Sequence, residues 1–252
     1  MSNPFADQAG VATYDRARPY FHSRIATRLA ELLPRSARGI ALDVACGTGH
    51  STVALQSVVD RVVGLDASLA MLSQRRSRET ISYVQGSAER MPFLDGTFDL
   101  VTVSLALHWL DRVEFLHEAQ RLLRPESWLV VYDLNFAARM KESRLLAEWA
   151  ARYRRRFPHP ARNKEPLSAE DLTATGFRDV LSEPFVHVEV FDLDRLIRYL
   201  MTQSNVIDAV RQGRDTGPGV ERWLRETLSP LFAGPTGTFE YDGLLKVCQK
   251  MA

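Results

Sequence analysis

The sequence predicts an α/β protein built on an open, mostly parallel sheet, and three observations predict it. Apolar runs of strand length alternate with helix-length stretches from Gly39 to Asp133. A glycine-rich turn, Cys46-Gly-Thr-Gly49, joins the first run to the helix after it. The second run ends in an acid, Asp66, about twenty residues beyond the first glycine, the spacing of a βαβ unit that holds a nucleoside.

The elements follow in order. Ile25, Leu29 and Leu32 recur at helical spacing over 20–33. Strand one covers 40–45, its helix 51–58 and strand two 61–66. Ser68 caps the next helix, and Ile81 to Val84 forms strand three. Phe98 to Ser104 is strand four. Asp111-Arg-Val-Glu114 has the spacing of a capping box and opens a helix that ends before Pro125. Trp128 to Asp133 is strand five. Such alternation implies right-handed crossovers, with ligands at the carboxyl ends of the strands.

The rhythm breaks at 136–165, which reads as a long amphipathic helix followed by Pro158, Pro160 and Pro166. Ser168-Ala-Glu-Asp171 has capping-box spacing. Phe177 to Phe191 is strand material, Asp194 to Arg211 helical, and Arg214 to Val220 a loop around Gly217-Pro-Gly219. Thr238 to Lys250 alternates as the last strand. One domain over 1–252 is expected, with a helical cap at 1–35 and an insertion or lid at 136–170.

The glycine turn constrains the ligand. Gly47 and Gly49 tolerate positive φ and let a ligand approach the backbone. Asp66 can accept two hydrogen bonds from a ribose diol. A dinucleotide site wants a third glycine where Thr52 stands, and Asp43 would repel a pyrophosphate. A carboxylate there suits an ammonium group, and the helix N-terminus suits a carboxylate. S-adenosylmethionine, a zwitterionic amino acid joined to a ribose, meets both demands.

Four segments together resemble the class I S-adenosylmethionine-dependent methyltransferases: Asp43-Val-Ala-Cys-Gly-Thr-Gly49, Gly64-Leu-Asp66, Gly86-Ser-Ala-Glu-Arg-Met-Pro-Phe93 and Phe98-Asp-Leu-Val-Thr-Val-Ser104. The likeness is to the small-molecule branch, UbiE-like and trans-aconitate-methyltransferase-like (methyltransferase type 11), and is good over 10–135. It implies a Rossmann-like, doubly wound sheet of seven strands, mostly parallel with an antiparallel last strand and helices on both faces. It implies that Gly47 and Gly49, with Asp43 and Ala45 before them, line the methionine moiety. Asp66, followed by Ala67, would bind the ribose. Ala88 and Glu89 would face the adenine, and Ser87 stands where Asp or Asn is common. Ser104 and Leu105 would face the methyl-donating end. Tyr14-Asp-Arg-Ala-Arg-Pro-Tyr20 is similar to the segment that closes over the cofactor in relatives, through Tyr14 and Arg18.

Methyl transfer from a sulfonium needs alignment and exclusion of water, and a base only if the acceptor carries a proton. His108, followed by Trp109, is the candidate base, and a pocket wall is the alternative. The run Arg152, Arg154, Arg155, Arg156 reads as a solvated helix face or as a lid for an acidic acceptor. Trp149, Tyr199 and Trp223 are core residues or acceptor contacts.

A net charge of +1 gives no drive toward nucleic acid or anionic membrane. With neither a signal-like N-terminus nor a long uncharged apolar run, the expected location is cytoplasmic. Cys46 and Cys248 have no metal-ligand spacing, so no metal is expected. The expected activity is methylation of a small organic acceptor at oxygen, nitrogen or carbon. The alternatives are an RNA or protein methyltransferase and a binding module without turnover. No Asn-Pro-Pro-Tyr-type tetrapeptide follows strand four, which removes one signature of base methylation. The acceptor and the oligomeric state stay open.

Overall fold

The computed structural model describes residues 15, 17–160, 163 and 165–251. Its strands are β1 Ile40–Val44, β2 Arg61–Asp66, β3 Ile81–Gln85, β4 Phe98–Ser104, β5 Leu123–Met140, β6 Phe177–Asp192 and β7 Thr236–Lys250. They form one sheet in the order β3-β2-β1-β4-β5-β7-β6. Six strands are parallel and the last is antiparallel. The order reverses between β1 and β4, which is where such sheets place their ligands.

Register follows from burial. Every residue of β4 is buried, and so are Ala41 to Val44 of β1. The pairing sets Asp43 opposite Thr102 and Val44 opposite Val103. On the other side Val44 faces Leu65. Ser104 then faces Tyr132 across β4 and β5. At the opposite end of the sheet Asp99 accepts the Ile40 amide (2.8 Å) and pairs with Arg124, which fixes where β1 begins.

The helices are α1 His22–Leu32, α2 His50–Leu55, α3 Leu69–Ser73, α4 Arg112–Leu122, α5 Leu146–Arg156, α6 Ala169–Ala174, α7 Leu193–Met201, α8 Ser204–Arg211 and α9 Gly217–Leu228. Ser68 caps α3, accepting from the Met71 amide. Ser168 and Asp171 form a complete capping box on α6. Asp111 caps α4 through the Val113 and Glu114 amides, but its own amide donates to Glu89 (3.1 Å). The expected box with Glu114 is thus replaced by a tie to the loop after β3.

Four expectations are corrected. Residues 136–140 continue β5 rather than opening a helix, because Arg139 is drawn across to Glu240 and Asp242 of β7. The helix of that region is only Leu146–Arg156. The expected helix over 194–211 is two helices, interrupted at Thr202, whose hydroxyl bonds the Tyr199 carbonyl. Gly217-Pro-Gly219 is no loop but the first turn of α9, where Thr216 accepts the Gly219 amide and proline sits in the first turn.

The chain divides into two compact units. One holds Tyr20–Asp133, Arg162–Phe185 and Leu244–Ala252. Its core joins Leu42, Val44, Val101 and Val103 to Phe115, Leu122 and Phe177. The other holds Met1–Pro19, Leu134–Ala161 and Val186–Gly243, with an aromatic core that includes Trp149, Tyr153, Phe157, Tyr199 and Tyr241. Trp149 and Tyr199 are core residues there, and Trp223 packs partly buried against them. In the arginine run Arg156 pairs with Asp215 (2.7 Å) and lies over Trp223, while all four arginines are exposed.

Candidate functional site

The first unit brings most of the expected residues to the carboxyl ends of β1, β2 and β4. Ala45 and Leu105 end neighbouring strands in the left-handed region, with φ of 54° and 56°. Side chains resist that conformation, and such outliers gather at ligand sites. Gly47 and Gly49 take φ of 58° and 87° in the turn between them.

The two glycines do different work. A Cβ on Gly47 would meet nothing nearer than the Met71 sulfur at 4.0 Å, so that face of the turn is open to a ligand. A Cβ on Gly49 would stand 2.2 Å from the Tyr83 hydroxyl. Gly49 thus makes room for a side chain of β3, and the Tyr83 hydroxyl donates to the Arg76 carbonyl (2.8 Å). Burial pushes the Tyr83 phenol up to about 12.

Asp43 lies beneath the turn with 0% exposure. One oxygen accepts the hydroxyls of Ser51 and Thr52, each at 2.6 Å, and the other accepts Thr102 at 2.9 Å. Burial raises its pKa and the three hydroxyls pull it back. Asp43, the residue expected to meet an ammonium group, braces β1 against β4 and α2 through these contacts. Thr52, where a dinucleotide site would want glycine, supplies one of those hydroxyls. The helix after the turn has only six residues, His50–Leu55, and its dipole is correspondingly small.

Asp66 accepts the Gly47 amide through one oxygen and the Ser68 amide through the other, both at 2.8 Å. It locks the glycine turn to the start of α3, and burial raises its pKa against those two amides. Each carboxylate oxygen keeps a second lone pair for a ligand hydroxyl. Ala67 follows at the strand end, where its carbonyl accepts Gln85.

On the next loop Ala88 is buried and Ser87 exposed. Glu89 accepts the Ser87 hydroxyl and the Asp111 amide, so this loop is held between its own backbone and the cap of α4. Ser104, 9% exposed, has a hydroxyl with no hydrogen-bond partner among the described residues.

His108 sits in a helical turn, Leu107–Trp109, with Nδ1 3.8 Å from Asp133. That separation permits ion pairing but exceeds a hydrogen bond. Tyr14 lies outside the described residues. Arg18 belongs to the other unit, where it donates to the Thr202 carbonyl (3.3 Å) and lies over the Tyr199 ring.

The sequence reading missed Ser51, Thr52, Thr102 and Tyr83, and the pair His22 and Tyr132, whose Nδ1 and hydroxyl oxygen are 3.2 Å apart. Only strand register brings these together. Among the described residues, no group of three or more His, Cys, Asp or Glu is placed to hold a metal. No described helix is long and apolar enough to cross a membrane.

Comparison with known proteins adds a likeness to methyltransferases over part of the chain. The profile described as a methyltransferase domain matches residues 42–131. A demethylmenaquinone methyltransferase from Mycobacterium sp. (strain KMS) is 42% identical over 95 residues, covering 37% of this chain and 41% of the relative. This chain spans less than half the length of the curated relatives it matches. A solved structure from Anaeromyxobacter dehalogenans, described provisionally as a type II methyltransferase, covers 93% of this chain and 97% of its own. Its TM-score is 0.71 at 22% identity. Phosphoethanolamine N-methyltransferase 2 from Haemonchus contortus, solved with S-adenosyl-L-methionine, has a TM-score of 0.55 at 16% identity over 98% of this chain and 58% of its own. The reversal of strand order between β1 and β4 and the matched profile agree: residues 42–131 are similar to a methyltransferase domain, and the chain shares the fold of the solved methyltransferases.

Proposed function

We propose that the protein transfers a methyl group from S-adenosylmethionine to a small organic acceptor by in-line substitution. The observation that carries the reading is the rim itself: the open face of Gly47 beside an Asp66 that still has two acceptor positions. Asp66 would hold the ribose hydroxyls, and Ala88 with Glu89 the adenine. Ala45, Gly47, Ser104 and Leu105 would run along the methionine end. Asp43 acts from below by keeping the turn in shape. The bound donor supplies an electrophilic methyl on a leaving group that departs neutral, so the chain's task is alignment and exclusion of water.

His108 belongs to the acceptor side of this reading, as a wall residue held near Asp133. The acceptor is a small molecule rather than nucleic acid, and the enzyme works in the cytoplasm; the near-neutral charge supports the first of these.

Calorimetric titration with S-adenosylhomocysteine, with NAD as control, tests the reading. Micromolar binding of the first alone is expected, and binding of NAD in its place would overturn it. Asp66→Ala should weaken S-adenosylhomocysteine by about 1.5–3 kcal/mol, the worth of hydrogen bonds to a charged group. Asp66→Asn, which retains one acceptor oxygen, should lose less. Equal affinity of Asp66→Ala and wild type would remove Asp66 from the site.

Gly47→Ala separates turn geometry from ligand space. Its Cβ meets no protein atom closer than 4.0 Å, so the stability cost is confined to left-handed strain of about 1–2 kcal/mol. Affinity for S-adenosylhomocysteine should fall at least about tenfold, because the Cβ enters the space assigned to the ligand. A thermal melt beside the titration reads both, and unchanged affinity would place the ligand elsewhere.

A further inference from the structure

Beside Ser104 a second cluster joins α1 and α2 to the end of β4 and the middle of β5, all within the same unit. His22 is 6% exposed and Tyr132 2% exposed, with 3.2 Å between Nδ1 and the phenol oxygen. The His22 ring stacks on Phe21, with centroids 4.6 Å apart, and on His50 at 6.1 Å, and Tyr20 meets it edge-on at 5.6 Å. His50 in turn lies 3.4 Å from Arg76. Tyr132 is the register partner of Ser104, so the two side chains leave the same face of the sheet. The Leu105 amide, next along, donates to the Tyr132 carbonyl at 3.0 Å.

Three features give the cluster chemical direction. The Ser104 hydroxyl is buried without a hydrogen-bond partner among the described residues, a state that costs about 1–3 kcal/mol unless a ligand satisfies it. Tyr132 is held protonated, because burial and the nearby Asp43 carboxylate both oppose its ionisation. The hydroxyls near that phenol are those of Ser104 and Ser51, and Ser51 is already committed to Asp43. Ser104 is left as the hydroxyl without a hydrogen-bond partner among the described residues, and His22 as the phenol's hydrogen-bond partner.

We infer that Ser104, Tyr132 and His22 form a proton path from the acceptor to a buried histidine, and that the acceptor is therefore a hydroxyl or amine rather than a carboxylate. The inference rests on the proposed function above. As the methyl bonds to the acceptor's oxygen or nitrogen, the carbon–sulfur bond breaks and its electron pair stays on sulfur. The acceptor's proton passes to the Ser104 oxygen. The serine, without a partner among the described residues, turns its hydroxyl onto the Tyr132 oxygen and passes its proton there, and the tyrosine proton goes to His22 Nδ1, 3.2 Å away. Both hydroxyls end neutral and His22 ends as imidazolium. Ser104 is the catalytic residue in the path, and Tyr132 and His22 act through it.

Nuclear magnetic resonance on the whole protein with isotopically labelled histidine tests the path without an acceptor. At mildly alkaline pH, His22 should carry its proton on Nε2 and accept from Tyr132 at Nδ1. Two probes then differ at one position: sinefungin bears an amine in place of the sulfonium methyl, and S-adenosylhomocysteine bears nothing there. Sinefungin should move the His22 Nδ1 resonance, S-adenosylhomocysteine should not, and the difference should be lost in Ser104→Ala and in Tyr132→Phe. A proton on Nδ1 in the free protein, or equal responses to the two probes, would overturn the path. Calorimetry on the same samples distinguishes the two proposals, because failure of both probes to bind would overturn the cofactor reading and the path with it.

Discussion

Asp43→Ala is expected to lower stability by about 3–5 kcal/mol, the range seen when a buried charged network loses one member. The carboxylate is fully buried and is the shared acceptor of Ser51, Thr52 and Thr102. Alanine would leave three hydroxyls in a space without water and a hole between β1, β4 and α2. S-adenosylhomocysteine binding should disappear from the folded fraction as well, because the turn above loses its support. Asp43→Asn, with one acceptor oxygen left, should lose roughly half as much.

The pH dependence separates charge from shape. Burial raises the Asp43 pKa above its ordinary 3.8, so the folded chain takes up this proton more readily than the unfolded chain. The carboxyl's contribution to stability is thus greatest below its unfolded pKa and shrinks as pH rises through the folded one. Asparagine does not titrate, so its stability deficit should narrow as pH rises through that window. Urea titrations of both variants check the sign. A loss below about 1 kcal/mol for Asp43→Ala would show that the three hydroxyls find other partners.

Gly49→Ala should cost about 2–4 kcal/mol, the sum of left-handed strain and overpacking. Its Cβ would lie 2.2 Å from the Tyr83 hydroxyl and 3.1 Å from Cζ. The same ring also lies against Gly64, where a Cβ would sit 2.8 Å from Cδ1 and Cε1, so two glycines make room for it. Tyr83→Phe alone should cost about 1 kcal/mol for the hydrogen bond to Arg76. The double variant should be more stable than the two losses added, because phenylalanine removes the nearest clash. Strict additivity in a denaturant cycle would mean that the ring moves freely and that Gly49 is needed for its φ alone.

The alternation over 39–133 was the most legible part of the chain. β1, β2, β3 and β4 lie within a residue of their expected bounds, and β1 and β4, buried along almost their whole length, read as largely apolar runs. Past Asp133 the signals conflict. Leu134, Phe136, Ala138 and Met140 alternate as a strand should, but the helical pattern expected over 136–165 overlaps them. Gly217-Pro-Gly219 has the composition of a turn, and its Thr216 cap was the overlooked sign of a helix. In the site, Gly47 and Asp66 were visible from spacing. The hydroxyl ring around Asp43 was not, because Thr102 lies 59 residues away and only register brings it near. Tyr132 and His22, 110 residues apart, were hidden for the same reason.

Ala45 and Leu105 close neighbouring strands in a conformation that a side chain tolerates poorly. The rest of the domain holds that tension in place at a cost of about 1–3 kcal/mol for each residue. A sequence optimised for thermostability alone would put glycine or asparagine at both positions and would gain from it. The rim so relaxed would sample many shapes, whereas in the proposed reaction a sulfonium and a nucleophile must meet nearly on one line. On that reading the protein would keep its rim in shape by remaining less stable than its own fold allows.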